Sequence, residues 1–140
     1  MNIEDITVLT VNALTDLGFD AYKSYAPDLK LEQIKALKVY VMPSKVEYET
    51  LNRGAQQQMT VDIECGFYAS ETVLSVAQLL ADVHSCASYF ASCVGSKALS
   101  SGVNCIGVQV LPVYDGDNLR QYSVLSSVLK VTYKLFFSAG

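Results

Sequence analysis

The segment from Gln57 to Tyr68 alternates between apolar and polar side chains, and Gly66 is the only residue in it that favours neither side. Met59, Val61, Ile63, Cys65 and Phe67 fall on one side, and Gln58, Thr60, Asp62, Glu64 and Tyr68 fall on the other. Successive side chains of a β-strand point to opposite faces, so the pattern predicts a strand with one dry face and one wet face. Buried parallel strands are near-continuous apolar runs, so this strand is typical of an antiparallel sheet covered on one side.

We expect a single α+β domain spanning residues 1–140, because the length is that of one domain and the helices and hairpins predicted below indicate this class. Of these 140 residues, 51% are hydrophobic and 17% are charged, which excludes disorder over most of the chain. Ten basic and fourteen acidic residues give a formal charge of −4, which disfavours a surface that grips duplex DNA. No apolar run approaches the ~20 residues of a membrane span, and the acidic N-terminus lacks the basic start of a secretory signal. We therefore expect residence in a cytoplasm and no membrane partner.

Two amphipathic helices are predicted, over residues 3–17 and 71–94. In the first, apolar residues recur every three or four positions, and Gly18 follows where a C-terminal glycine cap belongs. In the second, Ser70 is the expected N-cap and Gly95 the expected end. Its predicted apolar stripe comprises Val73, Ala77, Leu80, Val83 (or His84), Ala87, Phe90 and Val94.

Further strands are predicted on both sides of the second helix. They are a possible edge strand over 19–25, a strand over 37–43 that ends at Pro43, and strands over 103–114 and 120–137. The Asp115-Gly116-Asp117-Asn118 turn joins the last two, and residues 44–56 are predicted to be a long polar loop in which Gly54 supplies a positive φ. The expected fold is a mainly antiparallel sheet of about four strands, with two helices packed on one face and a long C-terminal β-hairpin.

The last predicted strand is too long for a globule of this size. Eighteen residues at ~3.3 Å each would extend almost 60 Å, whereas a 140-residue globule is roughly 35–40 Å across. The hairpin therefore bends near Ser126-Ser127, contains a bulge, or projects from the body as an interaction arm, and the sequence leaves these options open.

The residues that could do chemistry are few. His84 is the only histidine, and Asp82 and Cys86 are predicted to point away from it on the helix. Cys65, Cys86, Cys93 and Cys105 lack metal-knuckle spacing and are expected to be reduced, buried fillers. Asp62 and Glu64 would lie about 7 Å apart on one face of a strand, where cross-strand pairing with Lys130 and Lys134 is favoured over acid–base catalysis. The sequence thus predicts no catalytic residue, no metal and no cofactor.

Nine tyrosines and no tryptophan form the most unusual feature of the composition. Tyr22, Tyr25, Tyr40, Tyr48, Tyr68, Tyr114 and Tyr122 fall at predicted strand ends, in loops or on the mixed face. Tyrosine is enriched at protein interfaces because it combines a large apolar ring with a polar tip. Interface formation and packing along the sheet edge both remain compatible with this distribution.

Residues 38–68 resemble a known family. A strand ends in Val39-Tyr40-Val41-Met42-Pro43, a polar loop with Glu47, Glu49 and Arg53-Gly54 follows, and the long alternating strand comes next. This segment, and the order of elements over nearly the whole chain, is similar to that of the small tail-terminator and neck proteins of tailed bacteriophages. The resemblance implies a non-enzymatic virion protein, a subunit of a hexameric ring that caps the tail tube and joins it to the head connector. DNA would pass through the ring without sequence-specific binding.

The resemblance also implies which residues lie at interfaces between subunits. The candidates are Glu47, Tyr48, Glu49, Arg53, Gly54, Asp62, Glu64, Asp115, Asp117, Arg120, Lys130 and Lys134. Glu49 and Arg53 would pair within the loop, pair across a subunit boundary, or remain solvated. The alternatives are a head-closure, other neck or tail-tube protein and, from a different class, a small α+β ligand-binding protein or enzyme.

Overall fold

A computed structural model describes the chain over residues 2–23, 37–50, 57–70, 75–94, 98–100, 102–110 and 124–137. The helices are α1 (Ile3–Asp16) and α2 (Val76–Ser92). The strands are β1 (Ala21–Lys23), β2 (Lys38–Thr50), β3 (Gln57–Ser70), β4 (Ala98–Ser100), β5 (Val103–Val110) and β6 (Val124–Phe137). This is the α+β class that the sequence predicts.

The described strands form one sheet in the order β1-β2-β3-β6-β5-β4. All neighbours are antiparallel except β1 and β2, which are parallel. The described part of the sheet has six strands rather than about four, because β1, within the possible edge strand expected over 19–25, lies at one edge and the three-residue β4 lies at the other. The predicted C-terminal hairpin corresponds to β5 and β6, whereas residues 111–123, with the predicted turn, lie outside the described residues.

The alternation in β3 sorts its side chains as predicted. Val61, Ile63 and Phe67 are completely buried, and the polar residues on the other face, Gln58, Thr60, Asp62, Glu64 and Tyr68, are half-buried. Both helices pack on this odd-numbered face, where they complete a single hydrophobic core. Tyr133 of β6 lies in the same core, and its hydroxyl is 2.9 Å from Oγ1 of Thr10 on α1. This bond satisfies the buried phenol and ties a central strand to the first helix.

Strand β2 does not end at Pro43, so the predicted loop over 44–56 is wrong for its first seven residues. The pairing with β3 shifts between Pro43 and Lys45, which makes Ser44 an extra, bulged residue, and then continues to Thr50 opposite Gln57. Proline is tolerated in strands at bulges and edges, which explains why Pro43 does not stop the ladder. Gly54 lies in the part of that loop, residues 51–56, that the structure does not describe.

Helix α1 matches its prediction, whereas α2 begins later and is rotated relative to the predicted stripe. Gly18 has a φ of +96°, as its capping position requires. Ser70 is the last residue of β3, and Ser75 is the N-cap of α2, where its hydroxyl accepts from the Gln78 amide. The buried residues are Leu79, Val83, Cys86, Phe90 and Cys93, while Ala77 and Val94 are exposed. Cys86 is buried and points away from the exposed His84, as predicted, although the predicted stripe did not include it.

The long last strand is regular where a bend seemed plausible. Ser126 and Ser127 are buried and pair with β3 without any shift of register. The irregularity lies in β5 instead, between Cys105 and Gly107, so that Ile106 is the extra residue.

Candidate interaction surface on the open face of the sheet

The two bulges decide which side chains reach the face that neither described helix covers. Before Ser44, the even-numbered residues of β2 lie on this open face. After Ser44 the odd-numbered residues Lys45, Glu47 and Glu49 lie there, because they pair with even-numbered residues of β3. The register also places Asp62, Glu64, Lys130 and Lys134 on the open face. Six of the predicted interface residues therefore converge on one surface.

Tyr48 is separated from the other candidates by the same bulge. It pairs with Met59, so it points to the helix side of the sheet, and 62% of it is exposed. Near it, Glu47, Glu49, Gln58 and Thr60 complete the lining of a shallow depression of about 410 Å³. Arg53, Gly54, Asp115, Asp117 and Arg120 lie outside the described residues.

Among the predicted interface residues on the open face, the acidic and the basic ones occupy different strands, although β2 also carries Lys38 and Lys45. Glu47, Glu49, Asp62 and Glu64 lie on β2 and β3, and Lys130 and Lys134 lie on β6. Glu64 stands directly opposite Lys130, as predicted, whereas Lys134 is opposite Thr60. Asp62 accepts a 2.7 Å hydrogen bond from Oγ1 of Thr132 instead of pairing with a lysine.

An ion pair on β2 lies beside this acidic region. The Lys45 ammonium is 2.8 Å from the Glu47 carboxylate, and their hydrogen bond raises the pKa of Lys45. Both side chains are more than half exposed, so the pair contributes little to stability.

Three tyrosines form a row across adjacent strands at the other end of the open face. The Tyr40 ring lies 6.0 Å from the Tyr22 ring and 5.9 Å from the Tyr68 ring, measured between centroids. Tyr68 covers Gly66: a Cβ placed there would come within 2.6 Å of a Tyr68 ring carbon. The glycine that breaks the alternation of β3 thus makes room for an aromatic ring. We call Tyr22, Tyr40 and Tyr68 the tyrosine row.

Lys38 and Asp20 anchor one end of the tyrosine row. The Lys38 ammonium donates to the Asp20 carboxylate at 3.1 Å and to the Tyr22 hydroxyl at 3.4 Å, and it lies 5.1 Å from the Tyr22 ring centroid. Hydrogen bonds with Tyr22 and Lys38 lower the pKa of Asp20, and the bond with Asp20 raises the pKa of Lys38. A tyrosine of the row therefore already binds a cation on its ring face.

The single histidine and the four cysteines lie on α2 or its C-cap and on the helix side of the sheet, away from the open face. His84 is exposed, and its Nε2 lies 3.4 Å from the Ser88 hydroxyl. The four cysteines are buried and free; burial raises the pKa of Cys86 to about 12 and that of Cys65 further. Among the described residues, no group of three His, Cys, Asp or Glu side chains is placed to hold a metal ion. Neither described helix has the length and apolar character of a membrane span.

Comparison with known proteins adds no family to these observations. A scan against protein-family models and a search of curated proteins both find no match. The functional interpretation therefore depends on the open face and on the resemblance described above.

Sequence reasoning missed two parts of this surface. Asp20 and Lys38 were not among the predicted interface residues, and Tyr40 and Tyr68 were not predicted to touch each other. The signal for Lys38, Tyr40 and Met42 was present in the alternation of β2, which places them on one face. Their contact with Tyr68 depends on the β2–β3 register, which places Tyr40 opposite Gly66 and Lys38 opposite Tyr68.

Proposed function

We propose that this protein is a structural subunit of a tailed-bacteriophage virion, a tail terminator. Six copies would close into a ring on the end of the tail tube and present the surface to which the head connector binds. The observation that supports this proposal best is the open sheet face, where the tyrosine row lies next to strands of opposite charge. The rest of the proposal rests on the family resemblance of residues 38–68.

The chemistry of the open face suits protein contacts. Tyrosine rings supply large contact areas at a low cost in side-chain entropy, and they are enriched at the centres of interfaces. Charges of both signs around such a centre select the correct partner and register rather than adding much affinity. The face therefore has an aromatic patch at one end and a pattern of charges that discriminates between partners.

The shape of the sheet suits contacts between unlike surfaces. The tyrosine row lies at one end of β3, and the end of the β2–β3 hairpin, with Tyr48 near it, lies at the other. Rings form when one patch binds a different patch on the next subunit and the rotation closes. The formal charge of −4 suits a channel through which DNA slides without adhering.

The test combines oligomeric state with binding to tail tubes. We expect light scattering on a size-exclusion column to show a hexamer, or a monomer that becomes hexameric when purified tail tubes are added. The Tyr40→Ala/Tyr68→Ala double variant is expected to lose this assembly, whereas Val94→Ala, an exposed apolar control on the helix side, keeps it. A wild-type protein that stays monomeric and never binds tubes would contradict the proposal.

Particles assembled without this protein separate the terminator from its neighbours in the neck. Negative-stain images with over-long tails are expected for a terminator. Tail-less heads together with tails of normal length would instead indicate a head-closure or joining protein and would overturn the terminator assignment.

A further inference from the structure

A shallow groove lies on the outer side of the helix layer, between α1 and α2. Val8, Leu9 and Ala13 of α1 and Tyr89 of α2 form its apolar lining, Asp16 lies at one end, and its volume is about 330 Å³. Val8 is 39% exposed, and Tyr89 is half-buried. Single apolar side chains at a surface are ordinary, but a concave apolar lining with an aromatic wall is the shape that receives a side chain of a partner. We call this surface the helix groove.

The charges of the helix layer are all acidic. Over their described lengths, α1 and α2 contain four carboxylates and no lysine or arginine. Lys23 of β1 pairs with Glu4, whereas no described residue forms an ion pair with Asp16. Asp16 is the last residue of α1, where the negative end of the helix dipole disfavours a carboxylate, and that turn contains no basic residue. A cation supplied by a partner would therefore be favourable at this end of the helix groove.

The other side of the molecule presents a cation beside an exposed aromatic ring. Lys134 and Phe136 lie two positions apart on β6, so both belong to the open face, and the Lys134 ammonium is 5.8 Å from the Phe136 ring centroid. Phe136 is 48% exposed. The residues opposite Lys134, Thr60 on β3 and Asn104 on β5, are uncharged, and no ion pair joins Lys134 to a described residue. This end of β6 thus carries the chemistry that the helix groove lacks.

We propose that Phe136 of one copy enters the helix groove of a second copy, where Lys134 pairs with Asp16. The ring packs beside Tyr89, and the ammonium offsets the carboxylate at the end of α1. Two positions on a strand span ~6.6 Å and one helical turn spans ~5.4 Å, so the spacing of Lys134 and Phe136 matches the single turn between Asp16 and Ala13. Charge complementarity selects this occupant, because an acidic or purely apolar segment would leave Asp16 without a cation.

The contact joins two different surfaces of the subunit. The helix groove lies on the helix side of the sheet and Phe136 lies on the open side, so the arrangement is head-to-tail and closes into a ring when the rotation between copies allows it. The inference rests on the self-assembly in the proposed function and identifies the two surfaces that meet. Phe136 pairs with Gln58 and Tyr68 pairs with Ser126, so the contact and the tyrosine row lie at opposite ends of the open face and can be tested separately.

Truncations on the two sides of the contact have distinguishable effects. We expect Phe136→Ala to weaken self-association of the full-length protein by about tenfold or more, because an aromatic anchor in a pocket supplies much of the binding energy. Asp16→Asn is expected to weaken association too, yet to leave the monomer at least as stable to heat, since it removes an unfavourable charge from the end of α1. Sedimentation velocity over a concentration series, with and without purified tail tubes, measures association. Thermal unfolding followed by circular dichroism, at a concentration where the proteins are monomeric, measures stability.

A charge exchange tests the pairing directly. Asp16→Lys and Lys134→Glu are each expected to abolish association, because each places like charges together. Mixing the two variants is expected to restore association, since each copy then meets an opposite charge at both of its surfaces. Lys45→Glu is the matched control, because it reverses the same charge on the same face but on β2, and it should associate like the wild type. Failure of the mixture to associate would overturn the inference, as would wild-type association of Phe136→Ala.

The outcomes separate this contact from the proposed function. If Phe136→Ala and both charge variants assemble like the wild type, the terminator proposal stands and the contact is wrong. If the charge variants restore each other but the protein never binds tail tubes, the contact stands and the terminator proposal is wrong. Loss of tube binding by Asp16→Lys without any change in self-association would make a basic segment of the tube protein the occupant, and a wild type that stops at a dimer would contradict the head-to-tail arrangement. A wild type that assembles under no condition overturns both.

Discussion

Successive residues of the same strands lie on the helix side and on the open side of the sheet, yet the side chains on the two sides differ in burial and in their polar contacts. On the helix side, Ile63, Phe67 and Tyr133 are completely buried, and the polar atoms there are satisfied internally. On the open side, tyrosine rings touch at about 6 Å and charges remain half-exposed. The helix side stabilises the fold, whereas the open side leaves aromatic rings and charged groups accessible to a partner. Substitutions on the two sides are therefore expected to have different consequences.

The largest contrast is expected between Phe67 and Met42, which lie on opposite faces of neighbouring strands. Phe67→Ala should lower the free energy of unfolding by about 3–5 kcal/mol, because it leaves a cavity beneath the helices. Met42→Ala should change it by less than about 1 kcal/mol, since the side chain stays in contact with solvent. Urea denaturation measures both, and equal losses would remove the distinction between the faces.

The buried hydroxyl pair on the helix side tests how strictly that face satisfies its polar atoms. Thr10→Val removes the described partner of the Tyr133 hydroxyl and should cost about 1–3 kcal/mol. Tyr133→Phe should cost about 1 kcal/mol, because Thr10 still donates to the Ile6 carbonyl. Thr15→Val, at an exposed threonine on α1, is the control and should be nearly neutral. Thermal unfolding ranks the stabilities of the three variants. A larger loss of stability for Tyr133→Phe than for Thr10→Val would contradict this account.

Gly66 provides an intermediate test on the open face. Gly66→Ala should destabilise the protein by about 1 kcal/mol, because the new methyl group displaces the Tyr68 ring from Tyr40. In a Tyr68→Ala background the same substitution should be neutral or stabilising, since alanine suits a strand better than glycine does. A double-mutant cycle measures the coupling, expected at about 1–2 kcal/mol. Additive effects would mean that the ring does not depend on the glycine.

The smallest effect is expected for the exposed Asp20–Lys38 pair. The folded state lowers the pKa of Asp20, so the stabilisation is complete above the unfolded value of about 3.9 and is lost as pH falls through the folded value. Asp20→Asn should reduce the acid-dependent fall in melting temperature by at most about 2 °C, because solvent screens the pair. Glu49→Gln is the control on the same face. If the melting temperature of Asp20→Asn fell more steeply with falling pH than that of the wild type, the Asp20–Lys38 pair would not stabilise the folded state.

Local patterns were sufficient for β3 and β6 because these strands pair with each other without interruption over their described lengths. An alternation of period two then predicts the face of every residue. It fails in β2 and β5, where a single bulged residue reverses the order of the faces. No residue type at Ser44 or Ile106 announces the bulge, since its position depends on the partner strand.

The remaining misses have similar causes. The predicted stripe of α2 contains no cysteine, whereas the observed one includes Cys86 and Cys93, whose small side chains lie in the core with Cys65 and Tyr133. The tyrosine row needs the β2–β3 register, which links residues far apart in sequence. Which residues point outward could thus be predicted where a strand has no bulge, but which of them touch could not.

The extra residue at Ser44 restricts how this arm of the protein can vary in length. If Ser44 paired regularly with β3 instead of bulging, Val46 and Glu47 would exchange environments, placing a carboxylate over the core and an aliphatic group in solvent. Viable insertions or deletions between Lys45 and Thr50 must therefore come in even numbers, so the reach of the hairpin changes in discrete steps of ~6.6 Å. The dimensions of any ring built with the β2–β3 hairpin would then change in the same steps.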